Sequence, residues 1–529
     1  MFKFKLFFLI LFMTFFLVGK AQKFNYQIPE QDKFDYPRNI LSIKNGFLLY
    51  ETGSSENGFF KDFSLTKLCL PISVSRLDTN LKIIKSNKLY DGERKFLPNL
   101  FQIIKLNNAN CIVYQDVIDE DHIGNIKIAV IDEDLLKVKD ELTVLDFVKN
   151  NIVYKKKKVA GRESNTFSTQ MSANQKKLLV YTEPDREKGD KIVIYLKVID
   201  ENLKTITERK IEFDEKYVDA QSFLCEDDGT VYIAYGPSED GKIPKRSEPI
   251  DNEKKILIIT PGSKQIKTLT FKLDQFTPKY YRLQNSPLKN NVYLSGVYSK
   301  GWDENYLGIF HASLNKQSMT LSQVTKTDFP LQLIQMFEKD GYAEAKKKNV
   351  GLLQNFYPLT KVRGDGTVDY VLFYGRQENI IHSDKSFNQP KFYGGSILDA
   401  HILEDKVVFS RVGRDMVSPG TNRFLEISLF SKDENLIILY NDNPRNIKGE
   451  NDEKIIPGVV QNSEVCAATI DKNGRVQKQY LLEGFTGKNI GFLDRIYPIT
   501  NNSFLMLLEK LTFINMSKSK TEFVKISID

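Results

Sequence analysis

Ile199-Asp200-Glu201-Asn202-Leu203-Lys204 decides the fold, because the same sentence recurs along the chain. It reads Arg76-Leu77-Asp78-Thr79-Asn80-Leu81-Lys82 earlier, Ile131-Asp132-Glu133-Asp134-Leu135-Leu136-Lys137 between them, and in degenerate form Ile470-Asp471-Lys472-Asn473-Gly474-Arg475. Each copy joins two alternating apolar runs through a short acidic or Asn-containing turn, the pattern of a β-hairpin. Asp78, Asp132 and Asp200 stand 54 and 68 residues apart. That period is the length of one four-stranded propeller blade with a variable loop.

Strand-like segments follow one another with turn residues between them. They are Asn45 to Tyr50, Asn110 to Tyr114, Lys177 to Tyr181, Thr230 to Tyr235, Asn291 to Gly296, Val368 to Tyr374, Lys406 to Ser410 and Ser503 to Leu508. Read as inner or middle strands of successive blades, with one or two sharing a blade, they predict an all-β propeller. About seven four-stranded blades are expected, with six or eight open. The Tyr and Phe content, 24 and 36 residues, suits half-buried pleated strands. The last segment, Phe523 to Asp529, reads as a strand that pairs near the N-terminal segment and closes the ring, since closure removes sheet edges. One stretch breaks the pattern. From Phe329 to Asn349, Leu331, Ile334 and Phe337 fall near helical spacing and Ala343 to Lys348 is rich in helix formers, so a helical insertion is expected there, lying on a blade edge or hanging over the ring as a lid.

The N-terminus reads as an export signal. Lys3 and Lys5 precede an apolar run from Leu6 to Val18, and Gly19-Lys20-Ala21 offers the small residues of a cleavage site before Gln22. Residues 1–21 are therefore the expected signal peptide and 22–529 a single propeller-like domain, periplasmic or extracellular. No later stretch is long and apolar enough to span a membrane. Loss of Lys3, Lys5 and Lys20 leaves 72 basic against 68 acidic residues. A net charge of +4 over so long a chain is no nucleic-acid footprint, and the dense runs Lys155 to Lys158 and Lys346 to Lys348 read as solvated loops or strand edges. Cys69, Cys111, Cys225 and Cys466 are scattered without C-x-x-C spacing, so neither a zinc site nor a redox motif is supported, and buried thiols are expected at Cys111 and Cys225.

The segments from about Gln175 to Ile447 resemble a family of exported, propeller-like proteins of unknown function from Bacteroidetes-type bacteria. Lys177 to Tyr181, Tyr195 to Leu203, Asp228 to Tyr232, Gly296-Val297-Tyr298 and above all Leu436 to Asn446 carry the resemblance. It implies fold and export but no activity. Where relatives tend to carry Trp after the Asp-x-Asn-Leu turn, this chain has Thr205 and Ile206.

Candidate chemistry is sparse. Ser396, Asp399 and His401 lie close in sequence, but on a strand Asp399 and His401 share one face while Ser396 points away, a poor triad. No G-x-S-x-G elbow occurs. Asp116, Asp119, Glu120 and Asp121 precede His122 without the spacing of a calcium loop, and no metal or cofactor is expected. Ser431 to Asn435 lacks the Gly and Trp of a sialidase Asp-box, and the single Trp302 excludes a tryptophan platform for sugar. The best ligand or loop-face candidates are Tyr440, Asn441, Asp442 and Asn443. They read either as a strand entering an Asx turn fixed by Pro444 or as a polar cluster on the ring's face. Two function classes remain: an exported envelope module that binds another protein or a glycan, and a propeller hydrolase or lyase acting on a glycan or peptide with central carboxylates.

Overall fold

The computed structural model describes residues 24–27, 37–52, 72–89, 101–117, 123–147, 167–183, 191–213, 218–237, 253–301, 305–344, 350–379, 390–404, 406–419, 422–446, 455–482, 489–500, 502–510 and 520–528. The Leu6 to Val18 run, the cleavage site, Cys69, Lys155 to Lys158, Asp119 to His122, Trp302 and Lys346 to Lys348 lie outside them.

Eight sheets of four or more strands, antiparallel but for one short parallel pair in blade 6, form eight blades. They span residues 37–88, 101–145, 168–212, 218–271, 277–328, 356–419, 428–480 and 489–528, the last completed by Phe24–Gln27. Within a blade, strands follow chain order from the axis outward. The first strands contact one another from blade to blade, and side chains tie them together. Asn39 Nδ2 donates to Ile103 O at 3.2 Å, Leu283 N to Ser222 Oγ at 2.9 Å, and Thr360 Oγ1 to Gln284 Oε1 at 2.9 Å. Thr169 Oγ1 likewise donates to Gln102 Oε1, and Ser428 Oγ to Leu493 O. Such a ring has two unlike ends. One carries the tight turns between first and second strands and between third and outer strands, here called the hairpin end. The other, the loop end, carries the second-to-third connections and the crossings between blades.

Closure runs as the sequence predicts. Phe24–Gln27 pairs with Lys520–Ile528, Phe24 opposite Ile528, and supplies the outer strand of blade 8. The blade count is one above the central expectation. Seven of the eight predicted segments are second strands, but Lys406 to Ser410 falls in the outer strand of blade 6, and the second strand of blade 7, Asn435–Asp442, is not one of the eight.

The recurring turn has a physical logic. Asp78, Asp200 and Asp471 each accept two backbone N–H groups on Oδ1, from Asn80 and Lys82, Asn202 and Lys204, Asn473 and Arg475, at 2.8–2.9 Å. Asp132 does the same for Asp134 and Leu135. Leu81, Leu136 and Leu203 take left-handed φ of 62°, 57° and 60°, and Gly474 takes the equivalent place at 80°. A leucine there strains the backbone by about 1–2 kcal/mol. Its side chain plugs the layer between blades, with Leu81 and Leu136 wholly buried, and full burial of a leucine is worth about 1.5–3 kcal/mol. Burial offsets the strain.

The core is a succession of apolar layers between neighbouring blades. Leu106, Ile128, Leu178 and Val180 fill the layer between blades 2 and 3, and Leu179, Leu196, Val231 and Ile233 that between blades 3 and 4. Second strands are apolar on both faces because each is sandwiched, as in Ile437-Ile438-Leu439-Tyr440, all fully buried. Outer strands meet water; Ile83–Lys88 is exposed nearly throughout and carries Lys85 and Lys88, which blunt the edge. Cys111, Cys225 and Cys466 are buried free thiols, and burial pushes the first two up to about 12.

The helical insertion is shorter than the sequence suggests. Helix α1, Leu331–Lys339, is the only helix longer than a single turn among the described residues and lies in the crossing from blade 5 to blade 6. Leu333, Ile334 and Phe337 bury its apolar face in the layer of Phe356, Tyr374 and Leu398. It ends at Gly341, whose φ of 82° suits glycine, and Tyr342 N returns to Phe337 O at 2.9 Å. Ala343–Glu344 then pairs with Gly351–Leu352 as a strand, so the helix formers of that stretch yield to the pairing partner. The helix is a plug between blades.

Candidate functional site

A cavity of about 480 Å³ opens at the loop end between blades 3 and 4. Three first strands and the end of one second strand make it, since first strands begin at the loop end and the second strand of blade 3 finishes there. Phe167, Ser168 and Gln170 come from blade 3, Gln221 and Phe223 from blade 4 and Arg282 from blade 5, while Tyr181, Thr182 and Glu183 end the second strand of blade 3. Tyr181 stacks on Phe223 with ring centroids 3.8 Å apart and planes 16° from parallel. Burial raises the Tyr181 hydroxyl's pKa, against a hydrogen bond with Ser168 and the charge of Arg282. Arg282 Nη1 donates to Gln221 O, which fixes the guanidinium across the blade boundary.

Next to the cavity the axis wall turns aromatic. Tyr280 sits in a β-bulge of the blade 5 first strand, Thr277–Ser286, with a left-handed φ of 46°, and is 38 % exposed. Its carbonyl accepts from Tyr370 Oη, and its ring meets Tyr306 edge-on at 6.0 Å. Tyr357, at the start of the blade 6 first strand, is 53 % exposed. A tyrosine in the left-handed region is rare and costs backbone energy. The bulge turns this ring outward beside Arg282.

The loop-face candidates Tyr440, Asn441, Asp442 and Asn443 sit at the end of the blade 7 second strand. The first three are fully buried. Asn441 Nδ2 donates to Phe424 O and Gly491 O, both at 2.9 Å, and its Oδ1 accepts from Gly491 N at 3.1 Å, which joins blade 7 to blade 8. Asp442 Oδ1 accepts from Asn443 N and Asn446 Nδ2. Asn443 Oδ1 accepts from Arg445 N at 3.1 Å, the Asx turn that Pro444 follows. Burial lifts the Asp442 carboxyl to about 6, against those hydrogen bonds and the charges of Arg414 and Lys478. Arg414, bulged out of the outer strand of blade 6 and fully buried, donates to Leu425 O at 2.6 Å.

Ser396, Asp399 and His401 do not converge. Ser396 Oγ donates to Asp340 Oδ2 at 3.1 Å, beyond the end of α1. Asp399 and His401 join a sealed cluster near the hairpin end: His401 Nδ1 is 2.9 Å from Asp369 Oδ1, and Arg363 binds Asp369 through Nε and Nη2. All four are at most 2 % exposed. Burial, then the charge of Asp369, holds the Asp399 carboxyl well above the usual range. Sequence reasoning singled out Asp399 and His401 but missed Arg363 and Asp369, whose Arg363-Gly364-Asp365-Gly366-Thr367 turn looks like any glycine hairpin. Asp116, from the acidic run, pairs with Lys127 at 2.7 Å. Among the described residues no three His, Cys, Asp or Glu side chains gather as metal ligands.

The ring defines the class: a closed, eight-bladed β-propeller, with a cavity at the loop end between blades 3 and 4. No protein-family model matches the chain, and no curated protein matches it. Solved structures of similar shape include the WD40 domain of SCAP from fission yeast, at 8 % identity and TM-score 0.37, covering 96 % of this chain and 98 % of that one. The GH93 α-L-arabinofuranosidase of Fusarium graminearum covers 68 % and 92 % at 10 % identity and TM-score 0.30. Cobalt-substituted ACO of Synechocystis covers 96 % and 94 % at 7 % identity and TM-score 0.34.

Proposed function

We propose that the protein is exported, with its signal cleaved between Ala21 and Gln22, and acts in the periplasm or at the cell surface as a binding or scaffold module of the envelope. The observation that carries this reading is the lining of the loop-end cavity: amides, hydroxyls and a stacked aromatic pair, with Glu183 its one carboxylate among the described residues. A two-carboxylate hydrolase needs a pair of acids facing the scissile bond. The buried acids with raised pKa values, Glu226, Asp399 and Asp442, are all shut away from water and absent from the cavity lining. The partner is another envelope protein or a glycan. Among the described residues no helix is long and apolar enough to cross a membrane.

The test uses the chain from Gln22 to Asp529 against panels of glycans and peptides, with affinity and product formation read in the same samples. Saturable binding without turnover is expected. Turnover that vanishes in Glu183→Gln would overturn the reading in favour of a hydrolase or lyase. N-terminal sequencing of the exported protein is expected to begin at Gln22.

A further inference from the structure

We propose that the cleft between blades 3 and 4 holds an acidic oligosaccharide, a chain carrying uronic acid units, with one carboxylate on Arg282. This rests on the binding reading above and names its ligand class. Three observations lead there. Arg282 Nη1 is committed to Gln221 O, so the rest of the guanidinium is oriented, and among the described residues no carboxylate is within salt-bridge distance of it. A fixed, planar guanidinium at the edge of a cavity matches a carboxylate in two-pronged geometry. Its charge reaches Tyr181 on one side and Tyr370 on the other, which places it between the cavity and the aromatic wall.

The second observation is the neutral part of the lining. The amide of Gln170 combines donor and acceptor groups, which is what vicinal sugar hydroxyls ask for. An extended peptide is instead held mainly through its backbone along a free strand edge; each first strand here pairs with its second strand alone, its other edge packs toward the neighbouring first strands, and Gln221 O is already taken by Arg282. The third is the exposed Tyr280, set out beside Arg282 by its left-handed φ. A flat, partly wet ring suits the apolar face of a pyranose, and the strained backbone that presents it is the sort of cost a protein keeps at a ligand clamp. The cavity volume, about 480 Å³, lies inside the ~300–1,000 Å³ span of small-ligand sites. Glu183, exposed at the lip, repels a second carboxylate and leaves the acid unit to the Arg282 end.

The experiment titrates the mature chain with trigalacturonate and with its methyl ester, at low and at high salt. The acid is expected to bind about tenfold to a hundredfold more tightly, the span for charge-assisted hydrogen bonds, with the advantage shrinking as salt rises. Arg282→Gln is expected to erase the difference while Gln170→Ala weakens acid and ester alike. Should Arg282→Gln fail to fold, as a melting curve reveals, the acid-against-ester comparison on the unaltered chain decides. Equal binding of the two, or a preference for acid that survives Arg282→Gln, overturns the uronate assignment while the binding module stands. Binding of peptides in place of sugars also overturns it. Absence of binding to any member of either panel overturns both.

Discussion

Arg363 grips Asp369 with two prongs, Nε to Oδ2 and Nη2 to Oδ1, each 2.8 Å long, and neither side chain meets water. The third nitrogen, Nη1, reaches into blade 7, donating to Glu434 O at 2.8 Å and Ile470 O at 3.3 Å. One side chain thus rivets two blades near the hairpin end. Removing one partner of a buried ion pair strands the other, at a cost of about 3–5 kcal/mol. Arg363→Met is therefore expected to lower the unfolding free energy, read from denaturant melts, by an amount of that order. Arg363→Lys should restore little of it, because an ammonium cannot span two carboxylate oxygens and two carbonyls in one plane. A lysine variant as stable as the parent would show that charge alone, and not the fork, does the joining.

The buried acids make stability depend on pH in a defined direction. The Asp442 carboxyl is raised to about 6 in the folded ring and returns to about 4 when unfolded. Between those values the folded state binds the extra proton, so its contribution is complete below about pH 4 and is lost as pH rises to about 6. Asp399, raised by burial and by Asp369, pushes the same way. Asp442→Asn keeps an acceptor for Asn443 N and Asn446 Nδ2, and is expected to flatten the fall in melting temperature between pH 4 and 6. At pH 7 the gain is at most about 3 kcal/mol and smaller in practice, since Arg414 loses a nearby counter-charge. Melting curves at unit steps of pH check both points; a variant that keeps the parent's slope would clear Asp442 of the effect.

The leucine turns set two effects against each other. Leu81→Gly relieves about 1–2 kcal/mol of left-handed strain but empties a fully buried site, and loss of a buried leucine costs about 2–5 kcal/mol. Net destabilisation is expected. At Leu203, φ is nearly the same, 60°, but the side chain is only half-buried. Leu203→Gly is expected to be close to neutral, and Asp200→Ala to cost about 1–2 kcal/mol through the two N–H groups it abandons. Equal losses at Leu81 and Leu203 would show that burial is not what separates them.

These same turns were the legible part of the chain, since an Asp that accepts two backbone N–H groups and a buried leucine leave a local signature. The hairpin pattern gave the blade class, and the strand ending at Ile528 gave the closure. The eighth blade was harder, for Lys406 to Ser410 has the composition of a second strand and only its pairing with the third strand of blade 6 places it outermost. The helix formers of Ala343–Glu344 were likewise overruled by a partner, Gly351–Leu352. The cavity was illegible for a different reason. Gln170, Tyr181, Phe223 and Arg282 come from three blades and converge only when first strands pack around an axis, and no spacing in sequence records that. Tyr440 to Asn443 stood out because a polar run after an apolar strand is conspicuous; the structure uses Asn441 to tie blade 8 through Gly491.

Ring closure offers the sharpest test of the architecture. Phe24–Gln27 covers the outer edge of Lys520–Ile528 in four register pairs, and Phe24 packs against the layer that holds Ile526 and Ile528. Without that strand the edge bares a row of unpaired N–H and C=O groups, a template for another chain. A chain starting at Ile28 is expected to melt several degrees lower and to run on a sizing column as dimers or larger species. A synthetic peptide of residues 22–30 should restore the melting temperature and the single-ring size, because an added strand can complete an open sheet in trans. Rescue that fails when Phe24 in the peptide is replaced by Asp would assign part of the closure energy to that ring's packing. A truncated chain that melts like the parent and stays monomeric would mean that the three strands of blade 8 hold the ring by themselves.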